Sequence, residues 1–199
     1  MKLHLLSNKI VFLFILLFSV DNLQAQQKPS LELGVKLMAE ANSGSGSTMP
    51  FSGLQLIYQK GKHGGLETGL YYRPVRNETI YDFYNTTGGN FYSVVAIIAE
   101  RFLSIPVLYR FQSKVLNFTA GSSLDIYLGW KDKSDKNTVT INSNNRSATI
   151  EAGAVVSLSK SIHLDDKIIL EPEIRFNPIF TSGDPYVHSA FGFACRYKL

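Results

Sequence analysis

The chain has a single cysteine, Cys195, in 199 residues. An intrachain disulfide and a cysteine-based metal site are both excluded. None of the four histidines falls at zinc-ligand spacing from another. After residue 25 there is no run of 18 apolar residues, so no spanning helix. Gly64-Gly65 and Gly88-Gly89 lack the surroundings of a phosphate loop and read as turns. A net charge of +4 is small for this length and argues against a nucleic-acid partner. His188-Ser189 is the nearest thing to a catalytic pair, but adjacent residues of a strand point to opposite faces. The sequence therefore points to no enzyme, no cofactor and no metal.

What is present begins with a leader. Lys2 and Lys9 flank an N-terminal segment, Ile10 to Val20 is apolar, and Ala25 follows in Leu23-Gln24-Ala25-Gln26. A positive segment, a short apolar run and a small residue make a secretory signal cleaved near Ala25. Eleven apolar residues are too few for a spanning helix, which takes about 20. The expected organisation is a signal peptide at 1–25 and one domain at 26–199.

That domain alternates. From Val115 to Trp130, one set of residues is Leu116, Phe118, Ala120, Ser122, Leu124, Ile126, Leu128 and Trp130. The other, including Asn117, Thr119, Ser123 and Asp125, is small or polar. Period two is the mark of a strand with two environments. Sixteen residues is long beside the usual 5–6 or so and suits a strand tilted through a bilayer.

Seven further segments alternate in the same way: Leu31–Ala39, Phe51–Gln59, Gly65–Pro74, Glu100–Phe111, Ala148–Ser159, Lys167–Phe176 and Val187–Leu199. Pro106 removes a ladder donor, so a bulge or an unpaired N–H is expected there. Connections after odd strands look long (40–50, 75–95, 131–147, 177–186), and those after even strands short. That is the habit of outer-membrane barrels. A barrel shows lipid only every second residue, which fits a mean hydropathy near zero. The expected fold is an all-β, eight-stranded antiparallel up-and-down transmembrane β-barrel, with every strand paired and no edge left.

Charges collect on the polar faces. Acids are Glu32, Glu67, Asp125, Glu151, Glu171 and Glu173; bases are Lys36, Arg73, Arg110, Arg175, Arg196 and Lys198. Eight strands enclose a space that side chains fill. Buried charges there must interlock as ion pairs. This lumen network is one candidate site, and a narrow pore with carboxylate ligands is its rival. Tyr81, Phe83, Tyr84, Phe91 and Tyr92, in the stretch 75–95, are the other candidates, as anchors for a partner. Tyr58, Tyr72, Tyr109, Phe111, Trp130, Phe176 and Tyr197 stand near the ends of apolar faces, where interfacial girdles belong. A soluble lipocalin-like barrel binding an apolar ligand has the same periodicity with the faces reversed. A lipid-A-modifying barrel enzyme needs a His/Ser/acid set near the outer rim, which the sequence does not offer.

The segment Arg101-Phe-Leu-Ser-Ile-Pro-Val-Leu-Tyr-Arg-Phe111 resembles a strand of the Bacteroidetes outer-membrane barrel proteins grouped with PorT. Phe118 to Gly129, Glu171-Pro-Glu-Ile-Arg-Phe176 and Phe191-Gly-Phe-Ala-Cys-Arg-Tyr197 continue the likeness, although this chain closes on Tyr197-Lys198-Leu199 where the family often has Tyr-Arg-Phe. The resemblance implies an eight-stranded barrel inserted by the outer-membrane assembly machinery, and the expected state is a monomer in outer-membrane lipid. Members of the PorT type are linked to protein secretion, and an envelope protein is the expected partner for the aromatics of 75–95.

Overall fold

The computed structural model describes residues 29–43, 47–84, 91–134, 149–180 and 186–199. The leader at 1–25 lies outside them. Alternating, β-branched and aromatic segments form nine strands among the described residues: β1 (Ser30–Asn42), β2 (Thr48–Gln59), β3 (Gly64–Tyr84), β4 (Phe91–Phe111), β5 (Asn117–Asp132), β6 (Ile150–Ser159), β7 (Ile162–His163), β8 (Ile168–Ile179) and β9 (Tyr186–Lys198). Every pairing is antiparallel, and chain neighbours pair throughout except around β7. β1 also pairs with β9, and β6 with β8, placing Ser157 opposite Arg175 and Leu158 opposite Ile174. Those two pairings close a ring of eight strands. β7 is a two-residue addition to β8 at the short-turn end.

The ring is apolar outside and polar inside. On β1, Leu31, Leu33, Val35 and Leu37 are exposed, while Glu32, Lys36, Met38 and Glu40 are buried. Val35 is 57% exposed and Val107 59%, whereas Arg110 and Glu171 are at 0%. A belt of aliphatic side chains standing outside is unfavourable in water, at about 25 cal/mol for each Å² of apolar surface. Hydrocarbon removes that cost. The fold is a transmembrane β-barrel. A soluble barrel with an apolar cavity would need Leu116, Phe118 and Leu124 inside, and all three are exposed outside. No helix among the described residues is long and apolar enough to cross a membrane.

Several sequence expectations are corrected. Strands replace much of the anticipated loops. β1 and β2 continue to Asn42 and Thr48, so their connection is five residues rather than 40–50. The stretch 75–95 is mostly ladder: Val75 pairs with Glu100 and Tyr84 with Phe91, leaving 85–90 between. β3 thus runs twelve residues beyond Tyr72, its last partner on β2, as a ribbon with β4. Polar residues inside that ribbon do not interrupt a hairpin whose backbone groups pair with each other.

Trp130 is the second correction. A register shift at Arg101/Phe102 leaves Leu128 without a partner, because Tyr127 faces Phe102 and Gly129 faces Arg101. Gly129 has a φ of 127°, a conformation that favours glycine. The extra residue inverts the alternation. Trp130 therefore pairs with buried Glu100 and leaves the outer face. Tyr58, Tyr72, Phe111, Phe176 and Tyr197 remain outside and exposed. Pro106 carries no bulge: the β3–β4 ladder omits Gly69 and Leu70 and resumes in the same register.

Candidate functional site

Alternation puts the even-numbered residues of β1 and the odd-numbered residues of β3 inside the ring. Of the twelve expected lumen charges, eleven are buried; Lys198 is exposed at the short-turn mouth. That mouth holds a cavity of about 470 Å³, lined by Glu32, Lys62, His163, Asp166 and Lys198 among others.

Above the mouth the charges form one chain of contacts. Arg196 bridges Glu32 and Glu171. Arg110 Nη2 donates to both oxygens of Glu171 at 2.8 and 2.7 Å, and its Nη1 to Glu67 at 3.2 Å. Lys36 Nζ donates to Glu67 at 2.9 Å and Glu173 at 2.6 Å. Arg175 reaches Glu173 at 2.9 Å and Glu67 at 3.3 Å. Ser159 and Ser161 also donate to Glu171. Four carboxylates (Glu32, Glu67, Glu171, Glu173) meet four cations (Lys36, Arg110, Arg175, Arg196). Each acid touches at least one cation, which offsets the cost of removing the charges from water.

An apolar layer lies over this network. Met38, Phe51, Tyr71 and Ala190 form a buried cluster. The Phe51 and Tyr71 rings stack with centroids 5.0 Å apart. Arg175 sits 5.8 Å from each ring centroid and Lys36 5.8 Å from that of Tyr71, joining the layer to the charges below. Two glycines make the space. A Cβ on Gly69 would lie 2.7 Å from the Tyr71 ring, and one on Gly53 also 2.7 Å from it.

On the other side of the layer Arg73 donates to Glu40 at 2.7 Å and to Asp125 at 2.5 Å. His188 Nδ1 lies 3.2 Å from Glu40. Asp125 pairs across strands with buried Glu151. Asn77 donates to Glu100 at 2.8 Å. Glu40 and Glu100 were not anticipated, and His188, on the polar face of the last strand, was not counted with the lumen charges. Glu40 follows Met38 by one period, so extending the first strand by a single residue would have found it. His188 is buried and Ser189 is exposed, so the pair faces two ways.

Tyr81, Phe83 and Tyr84 of β3 and Phe91 and Tyr92 of β4 have their backbones in the ribbon, with Phe83 opposite Tyr92. Their side chains lie outside the described part. At the opposite end, Asp165 accepts the N–H groups of Lys167 and Ile168 at 2.7 and 2.6 Å. Those bonds hold its carboxyl below the usual carboxylate range.

No protein-family model and no curated protein matches the sequence. Among solved structures, the chain is similar to Neisserial surface protein A (TM-score 0.46, 13% identity, 87% of this chain and 100% of that one). It is also similar to the E. coli outer membrane protein W (TM-score 0.44, 9% identity, 87% and 100%). Similarity to the outer membrane protein OprG from Pseudomonas aeruginosa, at a TM-score of 0.52 and 11% identity over 86% of this chain and 97% of that one, is a likeness of fold, the closed β-barrel built above from strand pairing.

Proposed function

We propose that this chain is a non-enzymatic outer-membrane β-barrel protein whose lumen is closed by its own side chains and which acts through its long-loop end. The observation that carries the reading is the pairing of an apolar exterior with a charge-balanced interior. Four acids and four bases locked in mutual contact under a layer of Met38, Phe51 and Tyr71 leave no wide path for a solute. A barrel that does not conduct can still present a surface, and among the described residues the β3–β4 ribbon is the largest one beyond the ring.

The finer parts of the proposal follow the sequence. The leader ending near Ala25 supports export, and the barrel supports insertion into outer-membrane lipid by the outer-membrane assembly machinery. The segment Arg101–Phe111 supports a PorT-like type, and through it an envelope protein partner and a link to protein secretion. A ring with no open strand edge in its wall supports a monomer.

The test is gel migration with and without boiling, on protein in washed outer membranes, together with carbonate extraction. A heat-dependent shift and resistance to carbonate are expected. Recovery as a soluble periplasmic protein with no shift would refute the reading. Pull-down through the 75–95 ribbon from envelope fractions then tests the partner, with a ribbon-deleted barrel as the control.

A further inference from the structure

The bulge in β5 changes which side chains face the lipid. Without it, alternation from Ile126 would carry Leu128, Trp130 and Asp132 outside and Lys131 and Lys133 inside. With Leu128 left over, Gly129 aligns with Arg101 and Lys131 with Ala99. Lys133 follows, its N–H donating to Ile97 at 2.8 Å. Arg101 pairs with Pro74 and Ala99 with Arg76 on β3. All of these share the parity of Tyr72 and Leu103, the pair at which the continuous outward apolar run of β3 and β4 ends, with exposed Ile80 and Val95 paired further out on the same face. The outer face of the rim therefore carries Arg76, Arg101, Lys131 and Lys133 directly above the apolar belt.

These cations are little compensated. Among the described side chains Glu78 is the acid on that face, and it takes Arg76 at 3.2 Å. Among the described residues no carboxylate pairs with Arg101, Lys131 or Lys133. Lys131 and Lys133 are exposed and Arg101 is half-buried. Elsewhere around the rim the outward positions among the described residues are uncharged: Ala39 and Ala41 on β1, Pro50 on β2, Ile150 on β6, Phe176 and Pro178 on β8, Val187 and Ser189 on β9. Among the described residues the outward positive charge of the rim is confined to one sector of three strands.

We propose that this sector binds the phosphate groups of the anionic glycolipid in the outer leaflet. The inference rests on the outer-membrane reading. Its height supports it. The outward run on β4 from Phe111 to Leu103 is nine residues, about what a tilted strand needs to cross the apolar zone. Arg101 is the next outward residue and so reaches the headgroup level. Neighbouring strands lie about 4.8 Å apart and successive outward rows about 6.6 Å apart. Long Arg and Lys side chains from three strands can then converge on one phosphate, with Arg offering a planar fork. Tyr72, Leu103 and Ile126 below give acyl chains an apolar wall. A headgroup with attached chains meets both features, whereas a soluble anion meets only the first.

The test is the unfolding temperature of the detergent-folded protein, titrated with diphosphoryl lipid A. A saturable upward shift is expected, absent with the non-phosphorylated form of the same glycolipid. Replacing Arg101, Lys131 and Lys133 by Gln should weaken the apparent affinity about a hundredfold, since three surface cations are lost. R101K/K131R/K133R should retain it, as should K62Q/K167Q/K198Q at the opposite end. These side chains lie outside the lumen, so the variants keep the interior network. The proposal is overturned by an equal shift with the non-phosphorylated glycolipid. Reproduction of the shift by inorganic phosphate alone, or loss in the opposite-end variant, overturns it too. A heat-modifiable membrane protein lacking the phosphate-dependent shift refutes this site and leaves the outer-membrane reading standing; a soluble protein refutes that reading itself.

Discussion

Arg110 is the cation on which the lumen network most depends, and Arg110→Met is the sharpest perturbation of it. The side chain is fully buried and donates three charged hydrogen bonds, two to Glu171 and one to Glu67. At roughly 1.5–3 kcal/mol for each bond to a charged group, the gross loss is about 4.5–9 kcal/mol. Glu171 keeps Arg196 and Ser159, and Glu67 keeps Lys36 and Arg175, so part of this is recovered. What cannot be recovered is the balance, because four acids then face three cations among buried side chains. The expected destabilisation is about 3–5 kcal/mol, the usual cost of orphaning a buried charge. Glu171→Gln alone should cost a similar amount, because four cations then face three acids, although Arg110 keeps Glu67 and Arg196 keeps Glu32. The double variant restores equal numbers of charges and should cost less than the sum by at least about 2 kcal/mol. The assay is urea unfolding of the barrel folded in detergent micelles, followed by circular dichroism and by the heat-dependent gel shift. Costs that simply add, within about 0.5 kcal/mol, would refute the claim that these residues act as one balanced network.

Three further outcomes follow from other parts of the molecule. Gly69→Ala drives a Cβ to 2.3 Å from the Leu54 carbonyl oxygen and into the Tyr71 ring, and should cost about 1–3 kcal/mol in the same urea assay; a neutral result would mean that the ring does not lie over this strand. Trp130 is the chain's one tryptophan, so its fluorescence in vesicles reports the β5 bulge. Lipids brominated on their acyl chains should quench it weakly, and strong quenching would place the residue on the outer face after all. Asp165 has a lowered pKa, so its stabilisation of the turn is full above the titration of a free carboxyl and fades as pH falls through the lowered value. The stability difference between the native protein and Asp165→Ala should therefore shrink in acid; a difference that grows as pH falls would contradict the bonding described.

Much of the fold was legible because period two is a direct record of two solvents. Leu31 to Leu37 alternates with Glu32 and Lys36 so regularly that the only ambiguity was which face is inside. That ambiguity is physical, since periodicity records a difference between faces and not its sign. The strand-end aromatics pointed the right way. Strand ends were not legible, because a residue above the membrane no longer needs an apolar outer neighbour. Arg76, Asn77 and Glu78 break the pattern while staying in the ladder, held by backbone bonds that any side chain permits. The β5 bulge was hidden for a related reason. One extra residue leaves the sequence on each side alternating normally, and Gly129 was one small residue among several.

The interior was legible as a list of charges and not as contacts. Partners in a barrel come from across the ring, and their heights depend on the shear of the strands, which no local stretch encodes. Glu67 on β3 meets Lys36 on β1, Arg110 on β4 and Arg175 on β8. The same distance from local pattern hid the layer above. Tyr71 shares the inward parity of Glu67 and Arg73, but nothing local says that its ring stacks on Phe51, opposite glycines that by themselves suggest only a turn or a bend. A large ring and a missing side chain are two halves of one packing solution, on strands whose order is known only once the barrel is closed. The glycines of β2 and β3 therefore set where the aromatic layer can lie. The layer in turn fixes how far Arg175 and Lys36 rise from the charges below. A change at Gly53 or Gly69 should consequently disturb the ion pairs of Glu67 and Glu173 as well as the stacking of Phe51 on Tyr71.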